Sequence, residues 1–209
     1  MADVKISALP AASSGNSLDE LAANQAGTTR KLTLEQVQNS FVLGRDMSTV
    51  TINNSTATTS IYSVNIPGRI LGTNRVARTI IGGEYRHTAG AAQTVTIRVG
   101  YSTTTLYQDV SATNAVSANS RPVHMQFILG NRNATNAQVL NGFVLLGDSG
   151  GATTGQGNFG TDEIIAVTPM RGLSAVDSTS NATFEVFVRL SAASTLVSFN
   201  KWYAYTELI

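Results

Sequence analysis

The chain of 209 residues contains no cysteine, which excludes disulfide bonds, thiolate metal sites and cysteine nucleophiles together. It is also poor in charge, because Asp, Glu, Lys and Arg make up 13% of the sequence against roughly 25% in typical soluble domains. Ser, Thr, Asn, Gly and Ala take their place. A composition rich in these residues predicts an all-β protein with many polar turns. Since fully solvated monomers usually carry more charge, the low charge also predicts that part of the surface is hidden in an assembly.

Neither sign of charge predominates in the sequence. Lys and Arg number 14 and Asp and Glu number 13, which gives a formal net charge of +1. We therefore expect neither nucleic acid nor a membrane as a partner. The first residues, MADVKISALPAASSG, show no basic stretch followed by an apolar run, so no secretion signal is expected. No segment approaches the ~20 apolar residues of a membrane-spanning helix.

From Ser60 onward, apolar and polar residues alternate with the period of a β-strand. Phe184, Val186 and Val188, for example, alternate with more polar neighbours. Because turn signals recur at short intervals without helical patterns between them, the sequence predicts an antiparallel β-sandwich, most simply a jelly roll. The candidate strands are residues 59–67, 75–87, 94–110, 121–132, 138–147, 162–169, 182–192 and 195–208.

The N-terminal region has a different character. Residues 33–41 (TLEQVQNSF) carry a helix signal, with Thr33 as the cap and Gln36 three residues later. Before them, two short stretches flank Ala26-Gly27 and predict a hairpin. Such a unit is too small to be stable alone, so we expect it to dock onto something larger. The predicted regions are an attachment segment (1–45), a linker or first strand (46–58) and a jelly-roll domain (59–209).

Residues 147–151 read GDSGG, the string that surrounds the nucleophile of chymotrypsin-like proteases. His87, Asp109 and Ser149 follow the chain order of that triad. However, the surroundings of His87 (EYRHTAG) do not fit, and a glycine-rich run follows Ser149 in place of a strand. The sequence therefore predicts a turn at the end of a strand, in which Asp and Ser satisfy the backbone. No enzyme is predicted.

The remaining polar motifs predict no metal or cofactor. His87 and His124 are the only histidines, and neither has ligand spacing with carboxylates. The glycine-rich run of residues 150–160 lacks the Gly-Lys-Ser/Thr of a phosphate loop. The carboxylates show no spacing that would pair an acid with a base across a sugar.

The last candidate strand is rich in aromatic residues. Simple alternation puts Tyr203 and Tyr205 on one face and Trp202 on the other. These side chains could form a stacking platform for a glycan, or they could belong to the core or to a subunit interface. The second interpretation is favoured, because sandwich cores and oligomer interfaces are both rich in aromatic residues.

Two stretches carry a resemblance to a known group of proteins. The segment KISALPAASSGNSLDELAANQAGTTRKLTLEQV resembles the start of many tailed-bacteriophage virion proteins, although Ala22 and Ala23 stand where an apolar residue and Pro are usual. The segments NIPGRILGTNRVARTIIGGEY, QFILGNRNATN, AVDSTSNATFEVFVRLSAAS and YTEL resemble the jelly-roll domain of phage head fibres, decoration proteins and tail-fibre tips.

The resemblance implies a homotrimeric structural protein on the virion surface, synthesised in the host cytoplasm. It would bind the major capsid protein through its N-terminal segment and act as a capsid decoration (cement) protein or head fibre. The alternative is a tail fibre or adhesin whose jelly roll binds host glycans. The predicted apolar anchors to the capsid are Ile6, Leu9, Pro10, Leu18, Leu21, Leu32, Leu34 and Val37.

Overall fold

The computed structural model describes the backbone of residues 20–25, 28–33, 41–73, 75–91, 93–111, 117–147 and 164–209. Side chains are described for residues 41–73, 75–91, 93–111, 120–147 and 169–209. The chain divides into two compact units, Met1–Phe41 and Val42–Ile209.

In the first unit, β1 (Glu20–Gln25) and β2 (Thr28–Thr33) form an antiparallel hairpin. Their register runs from Glu20 opposite Thr33 to Gln25 opposite Thr28, which confirms the predicted hairpin around Ala26-Gly27. Most of the predicted helix, residues 34–40, lies outside the described residues. Its predicted cap, Thr33, is the last residue of β2, and its last residue, Phe41, is an exposed turn residue.

In the described part of the second unit the chain forms eleven strands. They are β3 (Val42–Asp46), β4 (Val50–Asn53), β5 (Thr59–Ile66), β6 (Val76–His87), β7 (Val95–Tyr101), β8 (Thr104–Val110), β9 (Ser117–Asn131), β10 (Gln138–Gly147), β11 (Ile164–Ser174), β12 (Ala182–Leu190) and β13 (Val197–Leu208).

These strands form two antiparallel sheets. The seven-stranded sheet has the order β11-β10-β9-β6-β13-β3, and β4 pairs with β13 beside β3. The four-stranded sheet has the order β5-β12-β7-β8. The chain passes back and forth between the two sheets. It runs from β3 and β4 in the larger sheet to β5 in the smaller, then to β6 in the larger and to β7 and β8 in the smaller. It continues with β9, β10 and β11 in the larger sheet, β12 in the smaller and β13 in the larger.

The strand order is that of a jelly roll. If β3 and β4 count as one edge strand, four positions of the larger sheet (β3/β4-β13-β6-β9) face the four positions of the smaller one (β5-β12-β7-β8). This is the arrangement of two Greek keys in an eight-stranded double sheet. The hairpin of β10 and β11 is inserted between β9 and β12 and widens the larger sheet. The predicted all-β jelly-roll sandwich is confirmed.

One core lies between the two sheets. On β12 the inward positions are fully buried while their neighbours are more exposed, as the alternation predicts. Phe127 of β9 packs against Phe184 of β12, with 6.2 Å between the ring centroids. Tyr62 of β5 donates a hydrogen bond to Thr206 Oγ1 of β13 at 3.0 Å, across the same space. Each fully buried large apolar side chain contributes about 1.5–3 kcal/mol to such a core.

The predicted strand 94–110 is wrong as a single strand. The chain turns at Ser102 and Thr103, and β7 pairs with β8 as a hairpin. Ser102 takes a left-handed conformation with φ of 55°, which is uncommon for a residue other than Gly, Asn or Asp. Its N–H donates to the Thr183 carbonyl oxygen at 2.7 Å, so tertiary contact holds this turn.

The two earliest strands of the second unit fall in regions that the sequence assigned elsewhere. β3 lies at the end of the predicted attachment segment 1–45 and continues into residue 46, and β4 lies within the predicted linker or first strand, 46–58. Both strands pair with β13, so they belong to the larger sheet.

The close approach of the two sheets at Gly172 yields a testable prediction. A Cβ at Gly172 of β11 would overlap the carbonyl oxygen of Leu106 in β8, whereas a Cβ at Gly90 would meet nothing. We expect Gly172→Ala to lower the free energy of unfolding by about 2 kcal/mol, as overpacking does. Gly90→Ala, the matched control, should leave it unchanged or raise it by up to about 1 kcal/mol. Urea unfolding measures both, and equal effects would contradict the close approach.

Candidate functional site

A row of largely apolar side chains crosses the outer face of the seven-stranded sheet. In the strand registers, Tyr205 of β13 lies opposite Ile80 of β6, and Ile80 lies opposite Gln126 of β9. Gln126 lies opposite Phe143 of β10, which lies opposite Pro169 of β11. The residues of one row point to one side of a sheet. This row therefore carries large apolar groups on the side away from the core.

A β-bulge in β13 adds Trp202 and Tyr203 to this side. The register against β6 shifts between Lys201 and Tyr203, so Trp202 is the extra residue. Lys201 and Ala204 are both fully buried, and the residues between them therefore face outward. The alternation-based prediction that Trp202 points away from Tyr203 and Tyr205 is wrong, because the bulge reverses the phase.

Tyr203 owes its position to a glycine on the neighbouring strand. Its ring lies over Gly82 of β6, where any Cβ would overlap the ring atoms. Trp202 is 46% exposed, and the ring of Phe143 lies 6.0 Å from that of His124. Here we name as the aromatic face the outward side chains of Ile80, His124, Phe143, Trp202, Tyr203 and Tyr205.

Polar groups border the aromatic face. Arg78 Nε donates a hydrogen bond to Glu207 Oε1 at 2.7 Å, two register positions beyond the row of Tyr205. On the other side, Asn200 Nδ2 donates to Glu84 Oε1 at 2.8 Å. An apolar centre with a polar rim is the usual anatomy of a protein interface.

Beneath the bulge lies an ion pair in which Lys201 is buried and the side chain of Asp46 is 34% exposed. Lys201 is fully buried, and its Nζ lies 2.5 Å from Oδ2 of Asp46 on β3. Asp46 also accepts hydrogen bonds from the backbone N–H and the hydroxyl of Ser48. The hydrogen bond from Lys201, and after it that from Ser48, lowers the pKa of Asp46 from 3.8 to about 2.

The edge strand is interrupted at the same level. Asp46 lies opposite Ala204 and Val50 opposite Lys201, so residues 47–49 stand against the bulged pair of Trp202 and Tyr203. Met47, at this interruption, is 73% exposed. The interruption of the edge strand and the bulge of β13 are therefore one paired irregularity, held together by the ion pair of Lys201 and Asp46.

The outer face of the four-stranded sheet has a different chemistry. The Arg98 guanidinium of β7 lies 4.1 Å from the ring centroid of Phe187, its cross-strand partner on β12. Beside this pair is an open depression of about 50 Å³. Its lining includes Thr58, Thr96, Arg98, Gln108, Phe187 and Arg189.

The residues of the protease-like motif have other partners where they are described. His87 is buried on β6, and its Nε2 lies 2.9 Å from the Ala91 carbonyl oxygen. Asp109 is exposed on β8 and accepts the Tyr107 hydroxyl at 2.8 Å. Burial, followed by this contact, raises the pKa of Tyr107 to about 12. Ser149 lies outside the described residues.

The predicted anchors belong to the first unit. Leu21 of β1 lies directly opposite Leu32 of β2 in the hairpin register. The others, Ile6, Leu9, Pro10, Leu18, Leu34 and Val37, lie outside the described residues.

The described residues offer neither a cluster of metal ligands nor a membrane-spanning helix. Within the described ranges, no group of three or more His, Asp or Glu side chains could hold a metal ion. No helix in that part of the chain is long and apolar enough to cross a bilayer.

The second unit is thus a jelly-roll sandwich with an aromatic outer face on one sheet and a cationic depression on the other. No protein-family model matches the sequence, and no curated protein does. Among solved structures, peanut lectin with a nine-residue peptide is 11% identical, with 78% of this chain and 99% of that chain covered and a TM-score of 0.30.

A structure of infectious bursal disease virus, Gx strain, is 10% identical, with 93% of this chain and 47% of that chain covered and a TM-score of 0.28. The chain thus spans about half the length of that viral chain. At such scores these likenesses carry no functional argument, and the assignment of the fold rests on the strand order.

The buried ion pair yields a prediction for stability at neutral pH. Asp46→Asn should lower the free energy of unfolding by about 1–2 kcal/mol, because it leaves the Lys201 ammonium buried without its counter-charge while the solvent-exposed part of Asp46 limits the loss. The double variant Asp46→Leu/Lys201→Met should recover most of this loss, since it buries no charge. Urea unfolding measures both. A double variant no more stable than Asp46→Asn would contradict this account.

A second prediction concerns acid. Because the pKa of Asp46 is about 2 in the folded chain and 3.8 ordinarily, its contribution is complete above about pH 4 and is lost as the pH falls towards 2. Asp46→Asn lacks this titration. The gap in the free energy of unfolding between the original chain and Asp46→Asn should therefore narrow by about 1 kcal/mol over this window, after allowance for screening by solvent. A constant gap would contradict the role of the ionised carboxylate.

Proposed function

We propose that this protein is a structural component of a phage particle that assembles as a homotrimer and decorates the capsid exterior. The observation that carries the proposal is the aromatic face on the larger sheet of a jelly roll. Its role is binding rather than catalysis. By bridging neighbouring capsid subunits it would stabilise the shell, as any ligand of the assembled state does.

The aromatic face supports self-association. An antiparallel sheet that packs one face on the core usually presents a polar face to water. Here the outward row includes Tyr205, Ile80 and Phe143, and Trp202 is 46% exposed beside it. Tyr, Trp and Phe are the residues that interfaces enrich. The low charge of the chain, 13%, is also consistent with a surface that is hidden in an assembly.

The first unit supports attachment to a partner. Its described part is a two-stranded hairpin, and an isolated hairpin is at best marginally stable in water. Residues 1–41 form their own compact unit, so their role can differ from that of the jelly roll. The resemblance of this segment to virion proteins points to the major capsid protein as the partner.

The alternative is a tail fibre or adhesin that binds host glycans. Exposed aromatic rings such as Trp202 suit the apolar faces of sugars as well as protein partners. The two functions differ in what the protein binds first, which is a capsid in one case and a cell surface in the other.

Two variants of the full protein test the proposal and control each other. Tyr205→Asp places a charge in the aromatic face and should convert the homotrimer into a monomer, as measured by sedimentation velocity. The chain without residues 1–41 keeps β3 and should remain trimeric. It should no longer co-sediment with empty capsids, whereas the full chain should.

Three outcomes would contradict the proposal. A full chain that is monomeric at capsid-binding concentrations would remove the assembly. Retained capsid binding after deletion of residues 1–41 would remove the anchor. Binding of the full chain to host cells but not to capsids would favour the adhesin. Circular dichroism of each variant checks that the jelly roll is intact.

A further inference from the structure

The depression on the outer face of the four-stranded sheet combines a fixed cation with neutral polar groups. Phe187 of β12 lies directly opposite Arg98 of β7, and the Arg98 guanidinium stacks on its ring at 4.1 Å from the centroid. A guanidinium that stacks on an aromatic ring stays charged, and the N–H groups in its plane remain available to donate hydrogen bonds. The orientation of Arg98 is therefore set before any ligand arrives.

A second cation stands beside the first. Arg189 lies opposite Thr96, two positions along from Phe187, and both line the depression. Its Nε donates to the Thr56 carbonyl oxygen at 3.1 Å, which fixes the base of the guanidinium and leaves the terminal nitrogens for other contacts.

Neither arginine has an ion-pair partner in the part of the chain that the structure describes. Among the described residues, no carboxylate lies within ion-pair distance of Arg98 or Arg189. Glu185 is the next residue of β12 on the same side, but it forms no ion pair with either. Two like charges on one face repel each other unless an anion lies between them.

We propose that this depression binds the carboxylate group of an acidic saccharide. Its volume of about 50 Å³ exceeds the roughly 10–15 Å³ that a single water needs on the same measure, so the depression can admit a group as small as a carboxylate. Guanidinium donors match a carboxylate in two-pronged geometry and form its strongest hydrogen bonds.

The neutral groups favour a saccharide over an acidic peptide. The hydroxyls of Thr58 and Thr96 and the amide of Gln108 can both donate and accept hydrogen bonds. The several hydroxyls of a sugar ring do the same at closely spaced positions, whereas an acidic peptide offers one N–H donor and one C=O acceptor per residue beside its carboxylate. The exposed parts of the Phe187 ring offer an apolar contact for the C–H groups of a sugar ring.

This site is independent of the proposed function. It lies on the four-stranded sheet, whereas the aromatic face lies on the seven-stranded sheet. In a trimer joined through the aromatic face, the depression would stay open to solvent. Failure of either idea leaves the other in place.

The test titrates the full chain with tri-galacturonate by isothermal titration calorimetry. We expect millimolar binding that weakens as salt is added, because the contact is ionic. Arg98→Gln should weaken it by about tenfold or more. Arg98→Lys keeps the charge but loses the fork, so it should also weaken binding while preserving the fold. Glu185→Gln should strengthen binding, because a nearby negative charge is removed.

Arg86→Gln is the matched control, since Arg86 is an exposed arginine of β6 on the other sheet. It should bind tri-galacturonate like the original chain. Equal loss in Arg86→Gln and Arg98→Gln would overturn the site in favour of general charge attraction. Equal binding of neutral galactotriose would overturn the role of the carboxylate, and equal binding of triglutamate would overturn the saccharide. No binding at millimolar tri-galacturonate would overturn the proposal altogether.

Discussion

The bulge at Trp202 in β13 is the constraint on which the larger sheet depends. Before it, Val197, Phe199 and Lys201 face the core, and after it Ala204 takes the inward position. β13 pairs with β6 on one side and with β3 and β4 on the other, so its phase change is imposed on both neighbours. The edge strand is interrupted between β3 and β4 at the level of the bulge, and the ion pair of Lys201 and Asp46 links β13 to β3 there.

The outer chemistry of the sandwich follows from this phase change. Without the bulge, the alternation that buries Lys201 would also bury Tyr203 and Tyr205. With it, the tyrosines stand outside, over Gly82 and opposite Ile80. The larger sheet thereby gains an aromatic outer surface. The smaller sheet carries Arg98 of β7, stacked on Phe187, and Arg189 of β12 on its outer face. The two surfaces suit different partners, because apolar burial favours protein association and guanidinium groups favour anions.

Much of the fold could be predicted from the sequence, because the alternation of apolar and polar residues is enough to place most of the strands. The predicted bounds of β10 match the structure at both ends, and β12 begins where predicted. The turn at Ser102 could not be predicted, because the sequence YSTTTLY holds only strand-forming or neutral residues, and the turn depends on a contact with Thr183. The pairing of Arg98 with Phe187 depends on strand register, which one sequence does not reveal.

The ion pair of Lys201 and Asp46 contributes more to fixing the register of β13 than to the free energy of unfolding. Replacing a buried ion pair with apolar groups often leaves stability unchanged or raises it. A slip of β13 by one residue would exchange its inward and outward side chains, and the stretch WYAYT offers large apolar groups on both sides. Within this stretch hydrophobic burial alone discriminates weakly between the two registers, whereas the buried Val197 and Phe199 favour the observed one. The observed register brings the Lys201 ammonium to Asp46, whereas a one-residue slip would carry Lys201 to the outer face and separate the pair. The ion pair thus acts together with the buried Val197 and Phe199 to select which aromatic side chains reach the surface.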